Sequence, residues 1–244
     1  MKGLGTIANV LAILIGSGLG MLCRGGLKER FREILTQACG LATVLIGLSG
    51  ALEMVLTVDE GRLHAGKTML VVFSLVIGGL IGEALNLDRA LNRLGEWLKK
   101  TAHMGGDKRF VEGFVTASLV VCVGAMAICG SLEDGLNGDP QTLFVKSVLD
   151  LVIAAVFASV YGVGVAFSAL SVGVLQGSIT MCAVLIAPYL SDALITDLSG
   201  VGSVLILAVG VNLLFPGKCR VANLFPALLV PVGYELITML PMFS

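Results

Sequence analysis

The chain has 244 residues, of which 56% are hydrophobic and 14% charged, with a net charge of −1 and a mean hydropathy of +0.96. Soluble domains carry about 25% charged residues, so a water-soluble globular protein is excluded, and a near-neutral balance offers nothing to nucleic acid. What remains is an all-α, polytopic transmembrane helical bundle, forming a single integral membrane domain over residues 1–244.

A helix needs about 20 apolar residues to cross a bilayer, and the chain can be parsed in order on that basis. Residues 3–22 are uncharged and form span one; a single Lys2 precedes them and no polar mature domain follows, so the run is expected to stay in the product rather than be cleaved. Residues 27–33 are short, basic and amphipathic. Residues 34–58 form span two, with Glu53 near its far end, and residues 68–85 span three, with Glu83 inside it. In 88–109, Trp97 among Leu91, Leu94 and Leu98 has the spacing of a helix lying on the membrane surface. Residues 113–132 form span four.

Residues 151–191 contain no charge. One helix of that length would be about 60 Å long at 1.5 Å per residue, twice a hydrocarbon core of about 30 Å. Two spans with a tight turn near 168–173 are therefore expected, closed by Pro188 and Asp192. Residues 198–215 form span seven, ended by Pro216-Gly217, and 221–240 span eight, with Glu235 near its end.

With eight spans and both termini outside, 12 of the 16 bases fall inside; a seven-span version places 10 there. The positive-inside rule favours eight spans. The same map leaves the outer side acidic, and an acidic mouth concentrates cations.

Between spans four and five lies the densest polar passage, Gly130-Ser-Leu-Glu-Asp-Gly-Leu-Asn-Gly-Asp-Pro140. Gly135, Gly138 and Pro140 are expected to stop a helix there. Glu133, Asp134 and Asp139 then form a solvated outer vestibule with Lys146. Asp150 lies one to two turns into span five, at i+4 from Lys146, where the two side chains can meet. A carboxylate in such a segment marks an ion site or needs a partner, so Asp150 and Glu83 are the leading pathway candidates. For Asp150 the plain alternative is a structural pair with Lys146, and for Glu83 snorkelling toward Arg89. Asn9, Ser131, Ser159, Gln176 and Asn223 add neutral oxygens of the kind hard cations take, although interhelical hydrogen bonding is the commoner use of each.

Other chemistries find little support. The six cysteines include no Cys-x-x-Cys pair, and Cys39, Cys122, Cys129 and Cys182 read as small buried thiols. His64 and His103 lie in polar connections and make no zinc site. No cofactor is implied, and the absence of a Walker A motif argues against ATP-driven pumping by this chain alone.

Gly16/Gly20, Gly78/Gly82 and Gly173/Gly177 each form Gly-x-x-x-Gly, a close-packing signature that also suggests a homo-oligomer. Thr36, Thr116 and Thr196 are each followed 14 residues later by Gly50, Gly130 and Gly210, which outlines a repeated two-helix unit at 3–58, 67–132 and 169–215. Inverted repeats are a transporter habit.

Several stretches also resemble a known family. They are Asn9 with Ile15-Gly16-x-Gly18-x-Gly20, Ile77-Gly78-x-x-Ile81-Gly82-Glu83, the run from Phe110 to Leu119, Gly130-Ser131-x3-Gly135-x2-Gly138-Asp139, Lys146-Ser147-x2-Asp150, Phe157-Ala158-Ser159, Gln176, and Asn223-x2-Pro226-Ala227. In combination, over essentially the whole chain, they resemble the YqgA/YdfK family of bacterial inner-membrane proteins. The resemblance implies a location in the bacterial cytoplasmic membrane, and a sodium channel or pump is the activity suggested for that family. The expectation is a channel or secondary transporter for a small cation (sodium or proton) or small solute, with the bilayer as its surroundings. A membrane scaffold or assembly factor is the alternative. An intramembrane enzyme is disfavoured, since the spans offer no matched acid–base pair.

Overall fold

The computed structural model describes residues 2–24, 29–59, 62–103, 109–122, 125–187 and 190–238. Pro188, expected to close span six, lies outside them. Twelve α-helices, two 3-10 segments and one hairpin make up the described chain.

Helix α1 (Leu4–Arg24) runs parallel to α7 (Gln141–Tyr161). The register follows from glycines: Gly5 meets Leu143, Gly16 meets the backbone of Leu151, and Gly20 that of Ala155. A Cβ on Gly16 or Gly20 would fall on a carbonyl oxygen of α7, so two backbones touch where any side chain would hold them apart. Helix α2 (Glu29–Val55) packs antiparallel on α10 (Asp192–Leu214) in the same way, with Gly40 against Leu213 and Leu214, Gly47 against Leu207, and Met54 against Gly200.

After α2 the chain forms a hairpin, β1 (Leu56–Asp59) with β2 (Arg62–Ala65), in the register Leu56 to Ala65. Span two therefore ends at Val55, three residues before the expected end. Helix α3 (Thr68–Leu85) closes on Asn86 at φ 52°, whose N–H bonds to the Glu83 carbonyl. That left-handed cap swings the chain into α4 (Leu87–Thr101), a strongly amphipathic helix where the sequence predicts one.

Expected span four is two pieces, α5 (Phe110–Cys122) and α6 (Ala125–Asn137), inclined at 64°. Residues 130–137, read from their glycines as a broken turn, are helical. Gly135 sits in α6 because its missing Cβ admits the backbone of Thr180, and the break falls instead at Gly138, φ +70°. Helix α7 ends at Tyr161, where Gly162 adopts φ 85°, and the 3-10 turn Val163–Phe167 leads into α8 (Ser168–Met181). The connection between spans five and six thus lies at 162–167, ahead of the expected 168–173. Glycine at 162 reaches a conformation closed to L side chains, which sequence spacing alone does not reveal.

Helix α9 (Ala183–Ile186) and α10 follow. The final segment returns along α3 as α11 (Val221–Leu224), the 3-10 turn Phe225–Leu228 and α12 (Leu229–Thr238). Gly82 meets Asn223 and Gly78 meets Ala227, so this pairing is antiparallel. Among the described residues six helices are long and apolar enough to cross a membrane, and seven if α5 and α6 count as one bent span. The last segment, Val221–Glu235, is apolar but too short to qualify.

The contacts give the bundle two distinct ends. One holds the starts of α1, α3, α7 and α10 with the ends of α6 and α12, joined by Asp134 to the start of α1, Lys67 to Asp197, and Ser191 to Glu235. The other holds α4, the end of α3 with Arg220, and the junction of Tyr161 with the start of α5. The core between them is centred on Ile13, Ala154, Phe157, Val165 and Leu205.

Candidate functional site

Four polar side chains from three helices meet inside this core. Lys146 and Asp150 lie on one face of α7, Asn9 on α1 and Gln176 on α8. Their residues are 6%, 3%, 0% and 0% exposed, so no member reaches solvent appreciably. Lys146 Nζ donates to Asp150 Oδ2 at 2.6 Å and to the Val121 carbonyl at 2.8 Å. Asn9 Nδ2 donates to the same carboxylate oxygen at 3.0 Å and to Gln176 Oε1 at 3.3 Å.

Val121 belongs to the last turn of α5, just before the break with α6. The final carbonyls of a helix lack intrahelical donors and carry partial negative charge. The Lys146 ammonium therefore sits between a helix C-terminus and a carboxylate, two groups that would equally attract a free cation. Asn9 Oδ1 and Gln176 Nε2 are buried without partners among the described residues. A buried amide atom left unpaired costs about 1–3 kcal/mol, so the cluster has unused capacity for an acceptor and a donor. Thr6 Oγ1 and Ser17 Oγ, also buried and unpaired, extend a polar seam along the same side of α1, interrupted by Ile13.

The remaining expected residues are elsewhere. Ser131 donates back to the Ala127 carbonyl and Ser159 to that of Val156, each within its own helix, so neither hydroxyl reaches the cluster. Glu83 stands at the end that holds α4, the base-rich end, where Arg89, Arg93, Lys99, Lys100 and Arg220 gather. Its carboxylate, 54% exposed as a side chain, accepts from Arg220 at 2.6 Å and Asn223 Nδ2 at 2.7 Å, while Asn223 Oδ1 accepts from the Asp88 N–H. The partner of Glu83 is thus Arg220 of a distant segment, not the nearby Arg89.

The expected vestibule separates into four roles. Asp134, expected in a solvated turn, is fully buried, and its two oxygens accept from the N–H groups of Gly3 and Gly5 at the start of α1. Glu133 accepts from Thr142, and Asp139 is exposed and accepts from the Gln141 N–H at the start of α7. Lys146, placed at the rim by its position in the sequence, reaches inward to the cluster. Nor is Cys182 buried as expected; it is exposed at the end of α8.

A 280 Å³ cavity at the base-rich end escaped sequence reading; it is lined by Glu33, Thr36, Gln37, Arg109, Glu112 and Tyr161 among others. Glu112 lies three residues after Arg109, a spacing that reads as ordinary charge at a helix start. Only folding brings Tyr161 and Glu33 to it. Tyr161 and Asp150 share α7, about 16 Å apart along the helix. Ala154, Phe157 and Ala158, all buried, occupy that interval.

A bundle of long apolar helices with an ionisable cluster in its interior defines a multi-pass α-helical membrane protein. More particularly, residues 4–235 match the family described as "Protein of unknown function (DUF554)", and the chain belongs to that family. It is 34% identical over 227 residues to the uncharacterized membrane protein YdfK of Bacillus subtilis (strain 168), covering 93% of each chain. It is 31% identical over 235 residues to the uncharacterized protein YqgA of Escherichia coli (strain K12), covering 93% of this chain and 94% of the relative. No solved structure matches it.

Proposed function

We propose that the chain is a membrane transport protein for a small cation, sodium or proton, or a small solute, and that Asn9, Lys146, Asp150 and Gln176 form its central site. The supporting observation is the sealed cluster itself, with a carboxylate and a helix C-terminus held by a tethered ammonium beside two unpaired amide atoms. A broken helix next to intramembrane charge is the arrangement in which transporters expose backbone carbonyls to ions. Lys146 holds the place of a cation, and an incoming ion would displace it from Asp150 and Val121.

The cavity at Glu112 and Tyr161 is the approach from the base-rich end, and Phe157 with its neighbours is the closed barrier in between. The base-rich end faces the cytoplasm, in a bacterial cytoplasmic membrane, with both termini outside. Glu83 serves the fold at that end rather than the route, and no catalytic step is assigned to the chain.

The second reading is a scaffold or assembly factor in which Lys146 and Asp150 only neutralise each other, which their i, i+4 spacing and shared burial favour. Sodium and proton flux into proteoliposomes separates the two. The expected result is flux through the parent protein and its loss in the double variant Lys146→Met/Asp150→Asn, which removes both charges together and leaves neither unpaired. Flux unchanged in a folded double variant, or no flux through the parent, would put the scaffold reading first.

A further inference from the structure

A second, chemically different cavity lies at the base-rich end. It measures 420 Å³, is half-open, and is enclosed by the apolar face of α4 (Ala90, Leu91 and Leu94) against Phe114 of α5, Leu175 of α8 and Phe225. Two hydroxyls border it, Ser118 and Ser171, and they bond to each other at 2.9 Å. That mutual bond leaves an almost purely hydrocarbon lining. Water in such a space would lack the two to four polar partners it needs, and an empty volume of this size is foreign to a well-packed interior. At about 30 Å³ per water-sized group, it has room for roughly fourteen such groups. A flexible chain of methylenes fills it; a compact polar solute does not.

No charged side chain lines the cavity itself, but basic residues stand beside it on α4. At about 100° per residue, Arg89, Arg93 and Lys100 fall within about 40° of one another on α4, directly beside the flank that carries Ala90, Leu94 and the exposed Trp97. Glu96 borders this stripe, and Asp88 lies on the opposite flank, where its N–H is held by Asn223. Neither arginine has a partner among the described residues, whereas Arg220 nearby is engaged by Glu83. An exposed tryptophan at the edge of an amphipathic helix marks the headgroup level of a bilayer. An apolar slot therefore opens beside two free guanidinium groups at the depth where lipid phosphates lie, and arginine is the side chain best suited to grip a phosphate.

We infer that this cavity is a binding site for an anionic glycerophospholipid, one acyl chain lying beneath α4 and the phosphate held by Arg89 and Arg93. The site is independent of the transport reading, since it shares no residue with the cluster around Asp150. It ties α4, which carries the bend at Asn86, to α5 and α8 through a lipid.

The test is native mass spectrometry of the full chain released from nanodiscs containing equal amounts of phosphatidylglycerol and phosphatidylcholine with identical acyl chains. The expected result is preferential retention of phosphatidylglycerol, with retention falling about thirtyfold in Arg89→Gln/Arg93→Gln, as loss of two interfacial cations implies. Ala90→Phe fills the slot without touching the charge and is expected to release the lipid as well. Should that variant not fold, the arginine pair decides alone. Soluble glycerophosphate is expected not to compete; full competition would make this a free-phosphate site and overturn the role of the chain. Equal retention of the two lipids by the parent, or unchanged retention in the folded arginine variant, would overturn the assignment.

Discussion

A carboxylate with no water around it needs donors, and Asp134 finds two in the backbone of α1. The N–H groups of Gly3 and Gly5 would otherwise be orphans of the first turn, and the negative charge meets the positive end of the helix. Asp134→Ala is expected to destabilise the fold by about 1–2 kcal/mol, visible as a lower unfolding temperature in detergent. Asp134→Asn keeps one acceptor and should fall between the two; equal stability of all three would show that α1 does not depend on this cap. The Lys146–Asp150 pair makes a sharper demand. Breaking a buried pair from one side costs about 3–5 kcal/mol, because the survivor is left charged and alone, while removing both partners together is often close to neutral. Asp150→Asn should therefore melt well below the parent and Lys146→Met/Asp150→Asn close to it. If the single variant is as stable as the parent, the ammonium has another resting place.

Among the elements, glycine decides which helices touch. Gly20 abuts the Ala155 carbonyl of α7 and Gly82 that of Asn223, whereas an added Cβ at Gly177 meets nothing within 4 Å. Three motifs of one pattern thus have two fates: the first two bring backbones together inside the bundle, while in the third Gly173 only touches Val10 and Gly177 faces open space. Gly20→Ala and Gly82→Ala are each expected to lower the unfolding temperature, since rigid backbone rather than a movable side chain stands in the way. Gly177→Ala should leave it unchanged. An equal loss at all three positions would show that close approach does not explain the glycines, since helix propensity alone favours alanine. The break between α5 and α6 belongs to the same scale: it exposes the Val121 carbonyl, and Lys146 of a third helix is long enough to reach it.

At the scale of the whole molecule, the contacts carry the starts of α1 and α7 to one end and the starts of α5 and α8 to the other. Two exposed cysteines lie at opposite ends, Cys23 at the close of α1 and Cys182 at the close of α8. With the base-rich end in the cytoplasm, a membrane-impermeant maleimide applied to spheroplasts is expected to label a single-cysteine variant retaining Cys182, and to label one retaining Cys23 only after permeabilisation. The reverse pattern would invert the orientation and place the cavity at Glu112 on the outside.

The apolar runs by themselves determined the class of protein and the approximate course of α1, α2, α3, α7 and α10, because desolvating the backbone leaves helices as the available spanning structure. The amphipathic helix α4 was legible from the spacing of Trp97 and the leucines, and the Lys146–Asp150 contact from a four-residue interval. Membership of the family, too, was carried by motifs in the chain. Only the tertiary structure decided which polar residues share a site. Asn9 and Gln176 converge on Asp150 from helices 141 and 26 residues away, while Glu83, equally conspicuous in the sequence, turns to Arg220 instead. Asp134 changed from a rim carboxylate to a buried cap, and Gly135 from a helix breaker to a helix residue. The reason is common to all of them. Hydropathy and short intervals are local properties, but the partner of a buried polar group is whatever the packed helices bring within about 3 Å, and here glycines and a bend between α5 and α6 set that packing.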